Sequence, residues 1–354
     1  MALFFCGVIG TLPTAVLAEG HGPELGGNAI FRLGYNGVYD ADGALPTTND
    51  FIAIMIASPE LRFSSGATIK SELRLEDVAP PMEDRFFDEE GLFVRKLFAD
   101  VQVSDQFSVQ VGKFTPSFSF ASLVTPGMYG NNYNKEIELI ERVGFGARYR
   151  FQGMNGGTHV LSAATFFDDT SLFSDSFGES RGNKSRADGG ASNTESLESF
   201  ALSLEGSELQ NLPDFTYKLG LLHQARGEDG SADENGFLLA AMQSWSLDQD
   251  RRFTWIAEAA PIWNFDGSED DALYLSGGLV YEQGPWTAVL SGTYRKTDRI
   301  SDDDFNDYSV QTSIDYQLKN GLSLALAHEF LRADNIRSRR IGVRLSRVIQ
   351  LGGQ

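Results

Sequence analysis

The sequence predicts an all-β chain closed into an antiparallel transmembrane barrel of about 16 strands. Three observations predict it. Segments of about ten residues alternate apolar and polar side chains, as strands do with one face in lipid and the other in water. The connections between these segments alternate long and short. No run of about 20 apolar residues follows the N-terminal segment, so no transmembrane helix is expected.

The N-terminal segment, Met1 to Ala18 (MALFFCGVIGTLPTAVLA), carries no charge and is mostly apolar. It ends Val16-Leu17-Ala18, ahead of Glu19-Gly20-His21-Gly22, in the small-residue pattern of a secretory cleavage site. Residues 1–18 are therefore expected to be a signal peptide, and 19–354 a single barrel domain. The only cysteine, Cys6, lies in the signal, so no disulfide is expected. The chain carries 29 basic and 49 acidic residues, a formal net charge of −20. That balance argues against nucleic acid as a partner. It suits cations or a cation-rich lipopolysaccharide surface.

In chain order the alternating segments fall at roughly 28–39, 50–63, 67–78, 92–103, 106–114, 141–152, 157–167, 196–206, 215–225, 236–247, 252–265, 270–282, 286–296, 306–318, 322–331 and 338–349. The third shows the pattern well: Lys70, Glu72, Arg74 and Glu76 share one face, and Ile69, Leu73 and Leu75 the other. A β-sandwich also alternates, but it packs one face of each sheet dry against the other. A charged face such as that at 70–76, returning at 340–344, does not suit one. No repeat of fixed period is visible, which weighs against a solenoid or propeller.

Short turns follow the even segments at 64–66, 104–105, 153–156, 283–285 and 319–321, with a longer one at 207–214. They contain the Gly, Asn, Asp and Pro of tight hairpins. Mostly longer connections follow the odd segments, at 40–49, 79–91, 115–140, 168–195, 226–235 and 297–305; that at 266–269 is short. Long loops belong outside and short turns in the periplasm. Tyr35, Tyr39, Trp245, Trp255, Trp263, Tyr274, Trp286 and Tyr308 fall near segment ends, where interfacial girdles place them.

With these features the chain resembles the general porins of Gram-negative outer membranes. The resemblance spans the mature chain and rests on sixteen strands with a long third external loop, here 115–140. Val111-Gly112-Lys113-Phe114-Thr115-Pro116-Ser117-Phe118 is also similar to the strand-to-loop passage of several porins. The resemblance implies a multi-pass protein of the outer membrane, a homotrimer, whose third loop folds into the lumen. It implies passive diffusion of small hydrophilic solutes and ions, and no enzymatic activity. Two features depart from the pattern: the chain ends Leu351-Gly352-Gly353-Gln354 without a terminal aromatic residue, and the acidic surplus does not suit a phosphate-specific channel. The alternative function in the same fold is a substrate-specific porin, for sugar or another nutrient, with Phe118, Phe120, Tyr129 and Tyr133 as an aromatic slide.

Selectivity in such a pore comes from charges around the lumen. The alternation turns Arg32, Lys70, Arg74, Lys96, Arg148, Arg150, Arg340 and Arg344 inward, most of them on one wall because the last strand closes on the first. The third loop supplies Glu136, Glu138 and, at its base, Glu141 opposite them. The resemblance implies a transverse field between the basic wall and the acidic loop. The second segment is apolar on both faces at Ile52, Ile54, Met55 and Ile56, which suggests a tucked site or one covered by a neighbouring subunit. Acidic clusters at Asp88-Glu89-Glu90, Glu228-Asp229 with Asp233-Glu234, Asp266 with Glu269-Asp270-Asp271, and Asp302-Asp303-Asp304 with Asp307 are expected to hold Ca²⁺ or Mg²⁺ loosely at most. No other cofactor or metal is expected: the four histidines, His21, His159, His223 and His328, form no metal-spaced pair. No Gly-x-Ser-x-Gly elbow and no glycine-rich phosphate loop is present.

Overall fold

A computed structural model describes residues 22–43, 46–130, 133–153, 156–300 and 304–352. The expected signal peptide, with Asp302 and Asp303, lies outside the described residues.

The strands are β1 (Glu24–Ala41), β2 (Thr48–Arg62), β3 (Ala67–Asp77), β4 (Glu90–Gln102), β5 (Phe107–Phe114), β6 (Arg142–Gln152), β7 (Thr158–Asp168) and β8 (Ser199–Ser207). They continue with β9 (Phe215–Gln224), β10 (Glu234–Ser246), β11 (Arg251–Trp263), β12 (Asp271–Gln283), β13 (Trp286–Asp298), β14 (Phe305–Gln317), β15 (Leu322–Ala333) and β16 (Ile336–Gln350). Each pairs antiparallel with the next, and β16 closes on β1 from Asn28↔Gln350 to Ala41↔Ser338. Every expected segment is a strand. The ends differ modestly: β1 begins at Glu24 rather than 28, and β8 at Ser199 rather than 196.

Two short pieces of loop join the sheet. Arg85–Phe86 runs parallel to Asp50–Phe51 of β2, held by Arg85 bonds to Asp50 (2.8 and 3.0 Å), Asp77 (2.6 Å) and Glu89 (2.8 Å). Phe177–Gly178 pairs with Gly91–Leu92 of β4. It covers an edge that β5 is too short to reach, since β4–β5 pairing starts only at Leu97↔Lys113.

The period-two pattern turns Leu33, Phe145, Leu161, Leu221, Leu239, Leu279, Leu290, Ile314, Leu326 and Val343 outward, where all are exposed. A contiguous apolar surface of this extent needs lipid, not water, around it. Outward aromatic residues edge the belt. Tyr149–Phe151, Trp245–Phe253 and Trp286–Tyr316 pair at the short-turn end, and Tyr35–Phe51 and His328–Phe330 at the long-loop end. From Trp286 to Tyr294 the strand advances about 27 Å; a tilt of ~40° reduces this to about 21 Å, near the ~25 Å band of outer-membrane barrels. Tyr274 is not part of the girdle. It pairs with Ala260 and Arg295 on the lumen face and is fully buried.

Leu239 lies mid-strand on β10 and is 53% exposed. In detergent-folded or bilayer-folded protein, Leu239→Arg is expected to lower unfolding stability by about 2–4 kcal/mol, the cost of a charge at mid-depth on a lipid face. An unchanged unfolding midpoint would contradict the placement of this face in lipid.

Candidate functional site

The site is the lumen and the loop folded into it. β5 ends at Phe114, and the next residues carry Phe118, Phe120 and Ala121. The inner face from β7 to β13 is unusually apolar for a wet lumen, with Phe166, Ala201, Leu222, Leu238, Ile256 and Ile262. The loop covers it: Phe118, Phe120, Tyr133, Ile137 and Leu139 join these residues in one buried cluster. Burying each large side chain contributes on the order of 1.5–3 kcal/mol.

Polar anchors fix the loop. A short helix, α1 (Ala121–Val124), begins where Glu258 of β11 accepts from the Phe120 and Ala121 N–H groups, both at 2.7 Å. Lys218 of β9 donates to the Ser119 carbonyl at 3.0 Å. The Tyr129 N–H donates to Gln311 of β14, and its hydroxyl to Asn36 of β1, both at 2.8 Å. The Tyr133 hydroxyl reaches the Arg332 carbonyl of β15 at 2.7 Å. Only a segment inside the wall can touch all these strands. Gly127, at φ +103°, permits the approach to β14; a Cβ there would sit 2.6 Å from Gln311 Nε2.

The three loop carboxylates point to different sides. Glu136 accepts from Tyr274 at 2.8 Å and pairs with Arg295 at 2.9 Å, while Arg295 also holds Asp307 at 2.5 Å. Glu138 pairs with Arg95 at 3.0 Å. Glu141 takes both arms of Arg181 at 2.9 and 2.7 Å, and Lys113 at 3.2 Å. Arg95 was hidden from the sequence by a β-bulge. Glu72 faces Lys96 but Leu73 faces Val94, so Arg95 is an extra residue and joins Lys96 beside Glu72.

The basic wall is answered from within. Lys70 and Arg148 share Asp100 at 2.9 and 2.6 Å. Glu72 takes Arg74 at 2.7 Å and Lys96 at 2.8 Å, and Glu76 lies 3.5 Å from Arg74. Arg340 pairs with Glu329 and lies over the Tyr129 ring at 4.2 Å. Arg344 is 3.8 Å from Asp315. Arg150 is exposed near the short-turn end of β6, and Arg32 makes no ion pair or side-chain hydrogen bond among the described residues. The wall acids were legible in principle. Glu72 and Glu76 share the parity of Lys70 and Arg74, and Asp100 that of Lys96.

The loop 169–198 closes the rim above β6 and β7. Asp168, 1% exposed, holds Arg142, Lys184 and the Ser192 hydroxyl. Burial, with Arg142 beside it, pushes the Lys184 ammonium below its usual range. The Ser176 N–H and Ser180 hydroxyl hold the Asp175 carboxyl below the usual range. Of the expected acidic clusters, Glu89 is paired with Arg85 and Glu228 with Arg186. Among the described residues no three His, Cys, Asp or Glu side chains converge as metal ligands do.

No protein-family description and no curated protein matches the chain. Solved structures do. DcaP, an outer-membrane channel of Acinetobacter baumannii, matches with TM-score 0.57 and 10% identity over 92% of this chain and 97% of its own. OprB of Pseudomonas putida matches at 0.55 and 11% identity over 92% and 93%. OmpT, an outer-membrane protein of Vibrio cholerae in trimer form, matches at 0.53 and 7% over 93% and 100%. The fold is that of the outer-membrane barrels. Within that fold this chain differs from a plainly polar pore in having a half-dry lumen, with the third loop packed on the dry half.

Glu258 is the acceptor on which the start of that loop depends. Glu258→Ala is expected to cost about 1–3 kcal/mol, because two backbone N–H groups and Lys218 lose a buried carboxylate. Unfolding of the detergent-folded variant measures this, and a midpoint equal to that of the unaltered protein would contradict the anchor.

Proposed function

We propose that the protein is an outer-membrane channel for passive diffusion of small hydrophilic solutes and ions, with a modest preference for cations. The carrying observation is the division of the lumen. The loop occupies the apolar half, and openings remain beside it, one at the boundary of the two halves and one against the charged half. One of about 230 Å³ is lined by Gln110, Ser117, Arg148, Ser162 and Glu205, and another of about 450 Å³ lies between the loop and β13–β16. A charged wall of half-exposed ion pairs is stable only if water reaches it.

The cation preference follows from which charges are left over. Wall cations are largely matched by Glu72, Glu76, Asp100, Asp315 and Glu329, so their field across the lumen is weak. The external loops keep the acidic surplus; 79–91 carries Glu83, Asp84, Asp88, Glu89 and Glu90 against Arg85 alone. Such a mouth enriches cations within about a Debye length, ~8 Å at physiological salt. Ca²⁺ or Mg²⁺ at these loops belongs to that diffuse atmosphere.

The sugar-specific alternative has less support. Phe118 and Phe120 are buried against the wall, and Tyr129 and Tyr133 are tied down through their hydroxyls, so these four rings form no slide. A catalytic role has none. His159, His223 and His328 bond to Tyr217, Asn235 and Tyr39, and among the described residues none of the three is hydrogen-bonded to a serine or cysteine.

A homotrimer fits the distribution of aromatic residues. Residues 48–114, covering β2 to β5, contain no Tyr or Trp, and all four Trp lie on β10, β11 and β13. An arc covered by neighbouring subunits meets no headgroups and needs no interfacial rings. On β2 only Met55 of the four apolar residues faces outward; Ile52, Ile54 and Ile56 share the lumen face with Gly34, Arg32 and Ile30.

In planar bilayers a KCl gradient is expected to give a reversal potential of cationic sign, shrinking as ionic strength rises from about 0.1 to 1 M, where the Debye length falls to ~3 Å. Glu136→Gln with Glu138→Gln should reduce it further by releasing Arg295 and Arg95 toward the lumen. Anion preference at low salt would refute the charge assignment. Mass measurement in a detergent that preserves known trimers is expected to find three chains; monomers alone would refute the subunit-covered arc.

A further inference from the structure

The cavity beneath the third loop contains Arg32, an inward cation of the basic wall that, like the exposed Arg150, has no ion-pair partner among the described residues. Lys70, Arg74, Lys96, Arg148 and Arg340 each have a carboxylate within ordinary ion-pair distance. Arg32 has none among the described residues, and its charged neighbours are Arg344, Arg74 and Glu76. Arg74 and Glu76 already offset one another. Arg344 reaches Asp315 only at 3.8 Å, and its buried Nε has no acceptor. The cavity is bounded by Arg32, Arg344 and Asp315, which leaves one positive charge unanswered in about 450 Å³ of polar space.

We infer that this cavity is a binding site for a hydroxylated monocarboxylate, a solute of the sugar-acid class, held by Arg32 and Arg344. The inference rests on the channel reading and adds a ligand class to it. One negative charge completes the balance, whereas a neutral sugar leaves Arg32 unmatched and a dianion overshoots. Guanidinium groups bind carboxylates through two parallel N–H···O bonds, which the unengaged Arg32 can supply, with Arg344 adding a second positive charge on the same cavity. Thr125, Thr287, Gln317 and Ser323 line the same space with hydroxyl and amide groups, which suit a body rich in hydroxyls. Among the described residues no aromatic side chain lines it, so a flat aromatic acid finds nothing to stack on there. Its volume lies within the ~300–1,000 Å³ of small-molecule sites. Arg32 and Arg344 come from β1 and β16, so the site exists only because the barrel closes there.

The test is isothermal titration of the detergent-folded full chain with gluconate, glucose and benzoate at fixed ionic strength. Gluconate is expected to bind saturably, and glucose and benzoate at least tenfold more weakly. Arg32→Gln and Arg344→Gln should each weaken gluconate binding at least tenfold, while Arg337→Gln at the external rim should not; heat-modifiability on gels checks that each variant is folded. Absence of gluconate binding to the unaltered chain, equal binding by the two lumen variants, or equal affinity for benzoate would overturn the assignment. Conductance in bilayers separates the two readings. A barrel that conducts but does not bind gluconate loses this site alone, and one that binds gluconate but never conducts loses the channel reading and keeps the site.

Discussion

In the hydrocarbon core of a membrane no water is available to backbone N–H and C=O groups, so each must be satisfied within the protein. For strands that condition is met only by closure, and here closure is the pairing of β16 with β1. The rest of the molecule follows from it. A closed wall with period-two side chains must have an apolar outside and an inside that packs or takes up water. It also forces the last strand beside the first, which puts Arg344 next to Arg32 and gathers cations from β16 through β4 on one side.

The inside solves its problem in two ways at once. From β7 to β13 the wall carries an apolar patch, and leaving it wet would expose Leu222, Leu238 and Ile262 to water. The third loop removes that surface from solvent, satisfies backbone groups with Glu258, Lys218 and Gln311, and reaches Asn36 through the Tyr129 hydroxyl. From β16 to β6 the wall is charged, and there carboxylates on neighbouring lumen positions hold the cations. Pairing of this kind fixes side chains against the wall and keeps the open space clear. It also changes the electrostatics from a basic row facing an acidic loop to a wall whose cations are largely matched. The long-range field then belongs to the external loops.

Most of the fold was legible because a barrel strand states its face in its own sequence. Lys70, Glu72, Arg74 and Glu76 announce both the strand and its lumen side. The rhythm of loops and turns gives topology for the same reason: hairpins need Gly, Asn or Asp, and external loops do not. The site was less legible, since it depends on what lies across the lumen. Nothing near Glu138 in sequence points to Arg95, which a bulge displaces from the alternation. Glu136 meets Tyr274 and Arg295 from strands more than a hundred residues later. Tyr274 looked like a girdle residue by position, yet parity alone would have turned it inward beside Arg295.

The central claim is that the charged half of the lumen is a continuous aqueous path past the third loop. Single-channel recording of the purified chain in planar bilayers, over a series of KCl concentrations, tests it most directly. A water-filled path gives discrete, ohmic steps whose size rises with the conductivity of the bulk solution. Inserted protein that gives no steps at any salt concentration would contradict it and would make the loop a plug.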